Sequence, residues 1–103
     1  MISQNTQQEI VRRIRQVCEP ARIYIFGSHT SGNAKHDSDL DIAVVCDSVA
    51  AKSRESVVIR KALKGIEHSI DVVVTSTSDF EFYSQEPGSI FRTIAEKGIP
   101  IYA

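Results

Sequence analysis

Apolar residues along the chain follow a helical spacing in some segments and a strand-like pattern in others. Apolar positions three or four residues apart predict helices at about residues 6–18, 48–64, 78–86 and 89–97. Short runs rich in β-branched and aromatic residues predict strands at residues 23–26, 40–46, 69–75 and 99–102. Because strands and helices alternate, the pattern predicts an α/β (α+β) fold with helices on a mixed or parallel sheet.

Capping residues and breakers predict where several of these elements begin and end. Thr6 followed by Glu9 has the form of a capping box, in which the hydroxyl accepts a hydrogen bond from a free backbone N–H. Ser78, three residues before a glutamate, opens a second box. Gly65 is the predicted stop of the helix at residues 48–64. Pro100 cannot donate to a ladder, so the last strand is predicted at a sheet edge.

Composition narrows the class of protein. With 103 residues, 42% of them hydrophobic, we expect one domain over residues 1–103. A net charge of −1 argues against direct nucleic-acid binding. No apolar run approaches the ~18 residues of a membrane span and residues 1–12 lack a secretory signal, so we expect a cytoplasmic protein without membrane contact. Cys18 and Cys46 are too few for a disulfide framework and are interpreted as buried thiols.

Three aspartates interrupt the apolar strands. Asp39 and Asp41 are two positions apart at the start of one strand, so alternation directs both carboxylates to one face. Asp71 lies between apolar residues of the next strand and joins the same patch if the two strands are neighbours. Like charges this close repel, and divalent cations such as Mg²⁺ relieve the conflict. The alternative is that these residues cap a turn and start a surface strand.

Gly27 and Ser28 follow a predicted strand directly. Glycine permits close approach of the backbone to a ligand, serine offers a hydroxyl, and a following helical turn presents free N–H groups to an anion. Alone, the pair is also typical of an ordinary turn. Its position ahead of the acidic strand favours a phosphate-binding turn.

The spacing of these residues resembles a known signature. Gly27-Ser28, then ten residues, then an Asp-x-Asp at Asp39 and Asp41 resembles the G-S-x10-D-x-D motif of the DNA polymerase β-like nucleotidyltransferase superfamily, and Asp71 is similar to its third carboxylate. Over nearly the whole chain, the sequence is most similar to the minimal nucleotidyltransferases, the MNT antitoxins paired with HEPN ribonuclease toxins. The resemblance implies the minimal fold of that superfamily, a mixed sheet flanked by helices.

The resemblance also implies an activity and a partner. AMP would pass from ATP to a tyrosine hydroxyl of a HEPN toxin, which is silenced in a hetero-oligomer. The nucleotide would contact Gly27, Ser28 and Ser38. The resemblance implies that three carboxylates are catalytic and also bind two Mg²⁺ ions. They are Asp39, Asp41 and Asp71.

One departure from the family leaves a second function open. Many members carry a basic residue in the four positions after Gly-Ser, where this chain has none. The positive contact is then missing, or is supplied by His29, Lys35 or the partner. A non-catalytic antitoxin that neutralises its partner by complex formation is therefore the alternative. An antibiotic-modifying transferase is disfavoured, because such an enzyme needs a further domain to shape the acceptor pocket.

Two other groups of residues are interpreted as structural. The basic side chains of the second helix are expected on a solvated face, with a polyphosphate or acidic partner as the alternative: Lys52, Arg54, Arg60, Lys61 and Lys64. Three aromatic residues, Phe80, Phe82 and Tyr83, are expected to pack in the core or in a lid, with a partner-facing patch as the alternative.

Overall fold

The computed structural model describes residues 2–27, 39–47, 52–66 and 68–103, apart from the side chain of Ser53. The helices in these ranges are α1 (Gln4–Val17), α2 (Lys52–Ala62), α3 (Thr77–Tyr83) and α4 (Ile90–Lys97). The strands are β1 (Pro20–Phe26), β2 (Leu40–Cys46), β3 (Ile70–Ser76) and β4 (Ile99–Tyr102). The strands β2 and β4 have the bounds that the apolar pattern predicts.

The strands form one mixed sheet in the order β3-β2-β1-β4. β2 and β3 are parallel, whereas β1 is antiparallel to both of its neighbours. A parallel pair needs a crossover connection, and α2 lies within it. The prediction of a mixed sheet flanked by helices is confirmed, and β4 lies at an edge as Pro100 predicts.

The two faces of the sheet are covered by different helices. We call one the aliphatic face, which packs against α1 and α2 through buried Ile, Leu, Val and Cys side chains. Its buried strand residues are Ile23, Ile25, Leu40, Ile42, Val44, Cys46, Val72 and Val74. We call the other the aromatic face, which packs against α3 and α4. Its buried residues are Tyr24, Phe26, Ala43, Val45, Phe80 and Ile94. Both sides of β1 and β2 are therefore buried.

The helix α1 is amphipathic and covers the aliphatic face. Ile10 and Ile14, one turn apart, are completely buried. Burial of each side chain contributes about 1.5–3 kcal/mol. With 14 residues, α1 is the longest helix in the described part of the chain, and no helix there is long and apolar enough to cross a membrane.

Two helices begin at different residues from those predicted. The N-cap of α1 is Ser3, whose Oγ accepts from the N–H of Thr6 at 3.1 Å. The N-cap of α3 is Ser76, whose Oγ accepts from the N–H of Asp79 at 3.1 Å. The capping boxes at Thr6 and Ser78 were therefore wrong. In each case an earlier serine, still in extended backbone, is placed to accept the free N–H first.

The helix predicted at residues 48–64 is shorter in the structure. It runs from Lys52 to Ala62, and residues 48–51 lie outside the described ranges. Gly65 follows it with φ +94°, which confirms the predicted stop. The five basic side chains of this segment are all exposed, as expected. Lys52 pairs with Asp79 at 2.6 Å and so joins α2 to α3 across the end of the sheet.

Candidate active site

The candidate site lies at one edge of the sheet, where β1 ends and where β2 and β3 begin. Because β1 is antiparallel to β2, its last residue, Phe26, pairs with Asp41. Because β2 and β3 are parallel and in register, Asp41 pairs with Asp71. The strand order therefore brings together segments that are far apart in the sequence.

The side chains of Asp41 and Asp71 share one face of the sheet. Neighbours of both residues, Leu40 and Ile42 in β2 and Val72 in β3, are buried on the aliphatic face, so alternation directs the two carboxylates to the aromatic face. Adjacent strands lie about 4.8 Å apart. The strands β2 and β3 are neighbours, as the prediction of a shared patch of carboxylates required.

Asp39 immediately precedes β2 and is exposed, and Asp71 is exposed as well, whereas Asp41 is partly buried. In the ranges that the structure describes, no group of three His, Cys, Asp or Glu side chains converges closely enough to hold a metal ion. The three carboxylates thus share an edge of the sheet without forming a ready-made metal cluster. Their all-oxygen donor set is the chemistry that Mg²⁺ prefers.

Gly27 packs directly against the carboxylate of Asp41. Its φ is +82°, a backbone conformation that favours glycine. A Cβ at this position would overlap Oδ2 of Asp41 and lie 3.3 Å from its Cγ. The sequence indicated glycine for close approach to a phosphate, and it missed this contact. The signal that could have found it is the antiparallel pairing of β1 with β2, which is a long-range feature.

Several predicted site residues fall outside the described ranges. Ser28 and Ser38, predicted to contact the nucleotide, lie in the segment 28–38, as do His29 and Lys35, the candidates for the phosphate contact. Their roles stay predictions. Of the residues predicted for the site, the structure places Gly27 and the three aspartates at the same edge of the sheet.

The aromatic cluster is divided between the core and the surface. Phe80 is buried and stacks on Tyr24 with ring centroids 5.5 Å apart, which confirms the prediction of core packing for this residue. Phe82 is 62% exposed and Tyr83 is 44% exposed, and their rings contact each other edge-on. These two residues do not pack in the core, and their packing in a lid or in a partner-facing patch stays a prediction. The helix α3 has only two turns, so one stripe of it can face the sheet.

Comparison with known proteins identifies the family. The family model described as "Polymerase beta, Nucleotidyltransferase" matches residues 8–103. The chain belongs to this family. Membership supports a nucleotidyltransferase activity, which is the general function that the resemblance implies. No curated protein shows significant sequence similarity to the chain.

Solved structures share the fold of this nucleotidyltransferase. A toxin–antitoxin structure with AMP-PNP superposes with a TM-score of 0.66 at 18% identity, covering 94% of this chain and 73% of the other. A putative nucleotidyltransferase from Sulfolobus solfataricus gives 0.64 at 18% identity, covering 94% and 77%. A mutant of the toxin–antitoxin MntA-HpeT gives 0.63 at 16% identity, covering 94% and 73%. At these identities the likeness concerns the fold.

Proposed function

We propose that this nucleotidyltransferase acts as an antitoxin by transferring AMP from ATP to a tyrosine hydroxyl of a partner HEPN ribonuclease toxin. The observation that carries the proposal is the register that pairs Asp41 with Asp71 beside Gly27. Family membership supports nucleotide transfer. The toxin–antitoxin relatives, one of them with AMP-PNP, support both a protein partner and ATP.

The carboxylates define the proposed chemistry. Asp39, Asp41 and Asp71 would hold two Mg²⁺ ions, which when bound polarise the α-phosphate and steady the leaving pyrophosphate. The acceptor oxygen attacks the α-phosphorus, and the bond to pyrophosphate breaks. Asp71, the more exposed member of the paired carboxylates, accepts the hydroxyl proton.

Gly27 has a positioning role in the proposed site. Its backbone packs against the carboxylate of Asp41 and restricts where that group can lie. The same turn leads directly into Ser28, the predicted triphosphate contact. The turn would therefore place the nucleotide beside the Asp41–Asp71 pair, and positioning of this kind accounts for a large part of the rate in phosphoryl-type transfers.

The experiment is a transfer assay with two radioactive labels. The chain is incubated with MgCl₂, ATP and the protein encoded by the neighbouring reading frame, with ³²P in either the α or the γ position. We expect label on a partner tyrosine from α-labelled ATP alone. Asp39→Asn/Asp41→Asn should reduce labelling at least 100-fold.

Asp47→Asn is the matched control for the double variant. Asp47 follows the same strand at its other end, where its carboxylate accepts from Thr77 Oγ1 at 3.0 Å. It should retain transfer. Labelling by the double variant at the wild-type rate, or transfer of the γ label, would refute the proposal.

A non-catalytic antitoxin is the second candidate. It is favoured by the lack of a converged metal-binding trio within the described ranges and by exposed apolar side chains on α3 and α4, namely Phe82, 62% exposed, and Ile90, 49% exposed. Mixing the double variant with the toxin in equal amounts distinguishes the two. Restored ribonuclease activity supports catalysis as the antitoxin mechanism, and continued silencing supports occlusion.

A further inference from the structure

Two thiols lie at the end of β2 opposite the carboxylates. Cys46 is the last residue of β2, and Cys18 directly follows α1, where its N–H donates to the carbonyl of Ile14 at 3.0 Å. Pro20 pairs with Cys46 across the sheet, which brings the segment after α1 alongside the strand end. Both cysteines line one cavity of about 510 Å³.

Cys18 packs against the cluster of buried side chains on the aliphatic face that contains Cys46, and each thiol shifts the pKa of the other. Burial raises the pKa of Cys18 to about 12. Burial also raises the pKa of Cys46, but there the Cys18 side chain acts in the opposite direction. Both thiols are neutral at pH 7, and Cys46 is the one whose thiolate is favoured by its partner.

We propose that Cys18 and Cys46 form a reversible disulfide when the folded chain meets a small peroxide. Both thiols are free in the structure and line the same cavity. A disulfide brings the sulfurs to about 2.05 Å and requires that the Cβ vectors point toward each other. The shared cavity and the pairing of Pro20 with Cys46 bring the two side chains to the same end of the sheet. The bond ties the end of α1 to the end of the strand that carries Asp41.

The reaction balances with hydrogen peroxide as the oxidant. The sulfur of Cys46 attacks one peroxide oxygen, the O–O bond breaks, and the thiol proton leaves with the departing oxygen as water. The sulfur of Cys18 then attacks the sulfenic sulfur of Cys46, and its own proton leaves with the hydroxyl as a second water. Two thiols are oxidised, and one peroxide is reduced to two waters. Because the pKa of Cys46 is raised, the reaction should accelerate as the pH increases.

The test is peptide mapping of the peroxide-treated folded chain. After quenching with catalase, free thiols are alkylated under denaturing conditions and the protein is digested with trypsin without reductant. Arg22 and Lys35 lie between the two cysteines, so trypsin separates them unless they are linked. We expect a linked peptide in the monomer, removal of the link by dithiothreitol, and an increase in Tm of about 5–10 °C.

Single variants serve as controls. Cys18→Ser should leave Cys46 as a sulfenic acid that dimedone traps, and neither Cys18→Ser nor Cys46→Ser should gain stability on oxidation. The same peroxide treatment in urea measures how fast the two cysteines cross-link in the unfolded chain, where the fold does not hold them together. Disulfide-linked dimers, separate oxidation of the two thiols, or cross-linking that is as fast in urea as in the folded chain would overturn the proposal.

Discussion

The two faces of the sheet are packed by different means. The aliphatic face packs against helices of 14 and 11 residues through branched aliphatic side chains, including Ile59 of α2. The aromatic face packs against helices of 7 and 8 residues through a smaller cluster that includes Phe80 and Ile94. Large apolar side chains of these shorter helices, Phe82 and Ile90 among them, stay exposed.

The carboxylates of Asp41 and Asp71 lie on the aromatic face, which is covered by the two shorter helices. Asp41 and Ile42 are consecutive residues of β2, and alternation directs one to each face. A single strand thus contributes to the main core and to the candidate site. We expect stability to depend mainly on one side of the sheet and the proposed chemistry on the other, so variants on the two sides should separate the two properties.

The largest expected effect is the loss of unfolding free energy when a completely buried isoleucine is shortened. One such isoleucine comes from each layer of helices. Ile59→Ala in α2 should destabilise the fold by about 3–4 kcal/mol, and Ile94→Ala in α4 by about 2–3 kcal/mol, since the smaller aromatic cluster can collapse further around the cavity. Urea unfolding of both variants checks the difference. Equal losses of unfolding free energy, or a larger loss for Ile94→Ala, would contradict the expected difference between the two faces.

The next effect concerns the glycine at the carboxylate edge. Gly27→Ala should destabilise by about 1–2 kcal/mol because of its positive φ, and it should lower AMP transfer at least 10-fold because the methyl group displaces Asp41. Gly65→Ala is the matched control, with φ +94° and nothing within 4 Å of the added Cβ. It should cost similar stability and leave transfer unchanged. If both variants lost AMP transfer, the loss would follow from backbone strain and not from displacement of Asp41.

A smaller effect is expected at the start of α3, on the aromatic face. Ser76→Ala removes the Oγ that accepts from the N–H of Asp79 and should cost about 1 kcal/mol. Ser78→Ala, in the first turn of the same helix, should cost less than about 0.5 kcal/mol. Thermal unfolding measures both. A larger loss of stability for Ser78→Ala would instead support Ser78 as the N-cap, as the sequence predicted.

The smallest effect on stability is expected from removing an exposed ion pair on α1, outside the aliphatic core. Hydrogen bonds from Arg12 and Arg13 lower the pKa of Glu9 from 4.5 to about 2. The stabilisation is fully present above pH 4.5 and is lost as the pH falls toward 2. Glu9→Gln should therefore lower Tm slightly at pH 7 and low salt, and much less at pH 2 or in high salt. Glu86→Gln, at an exposed position, controls for loss of charge, and a pH-independent difference for Glu9→Gln would contradict the assignment.

The local parts of the fold were predictable and the long-range parts were not. The bounds of β2 and β4 follow from alternating apolar residues and from Pro100, because these signals act within a few residues. Helix starts were less certain, since Ser3 and Thr6 both lie where a cap could form, and only the structure shows which hydroxyl is used.

The residues of the candidate site could be proposed from the sequence, whereas their geometry could be predicted only conditionally. The Asp39–Asp41 spacing indicated a shared face, but the pairing of Asp41 with Asp71 depended on a strand order that no local pattern determines. The packing of Gly27 on Asp41 depends on a second such pairing, between β1 and β2. Contacts between distant segments are set by the whole sheet, which explains why this one was missed.

The direction of the crossover helix adds partial negative charge near the start of β3, close to the carboxylate edge. Between parallel strands, α2 runs opposite to both, so its C-terminal end lies beside the start of β3, and both line a cavity of about 280 Å³. The helix dipole places partial negative charge at that end. Arg13 offsets part of it by donating to the carbonyl of Lys64 at 2.8 Å. We therefore expect the backbone of α2 to strengthen the proposed Mg²⁺ site, so that its metal affinity should depend on fold topology as well as on side chains.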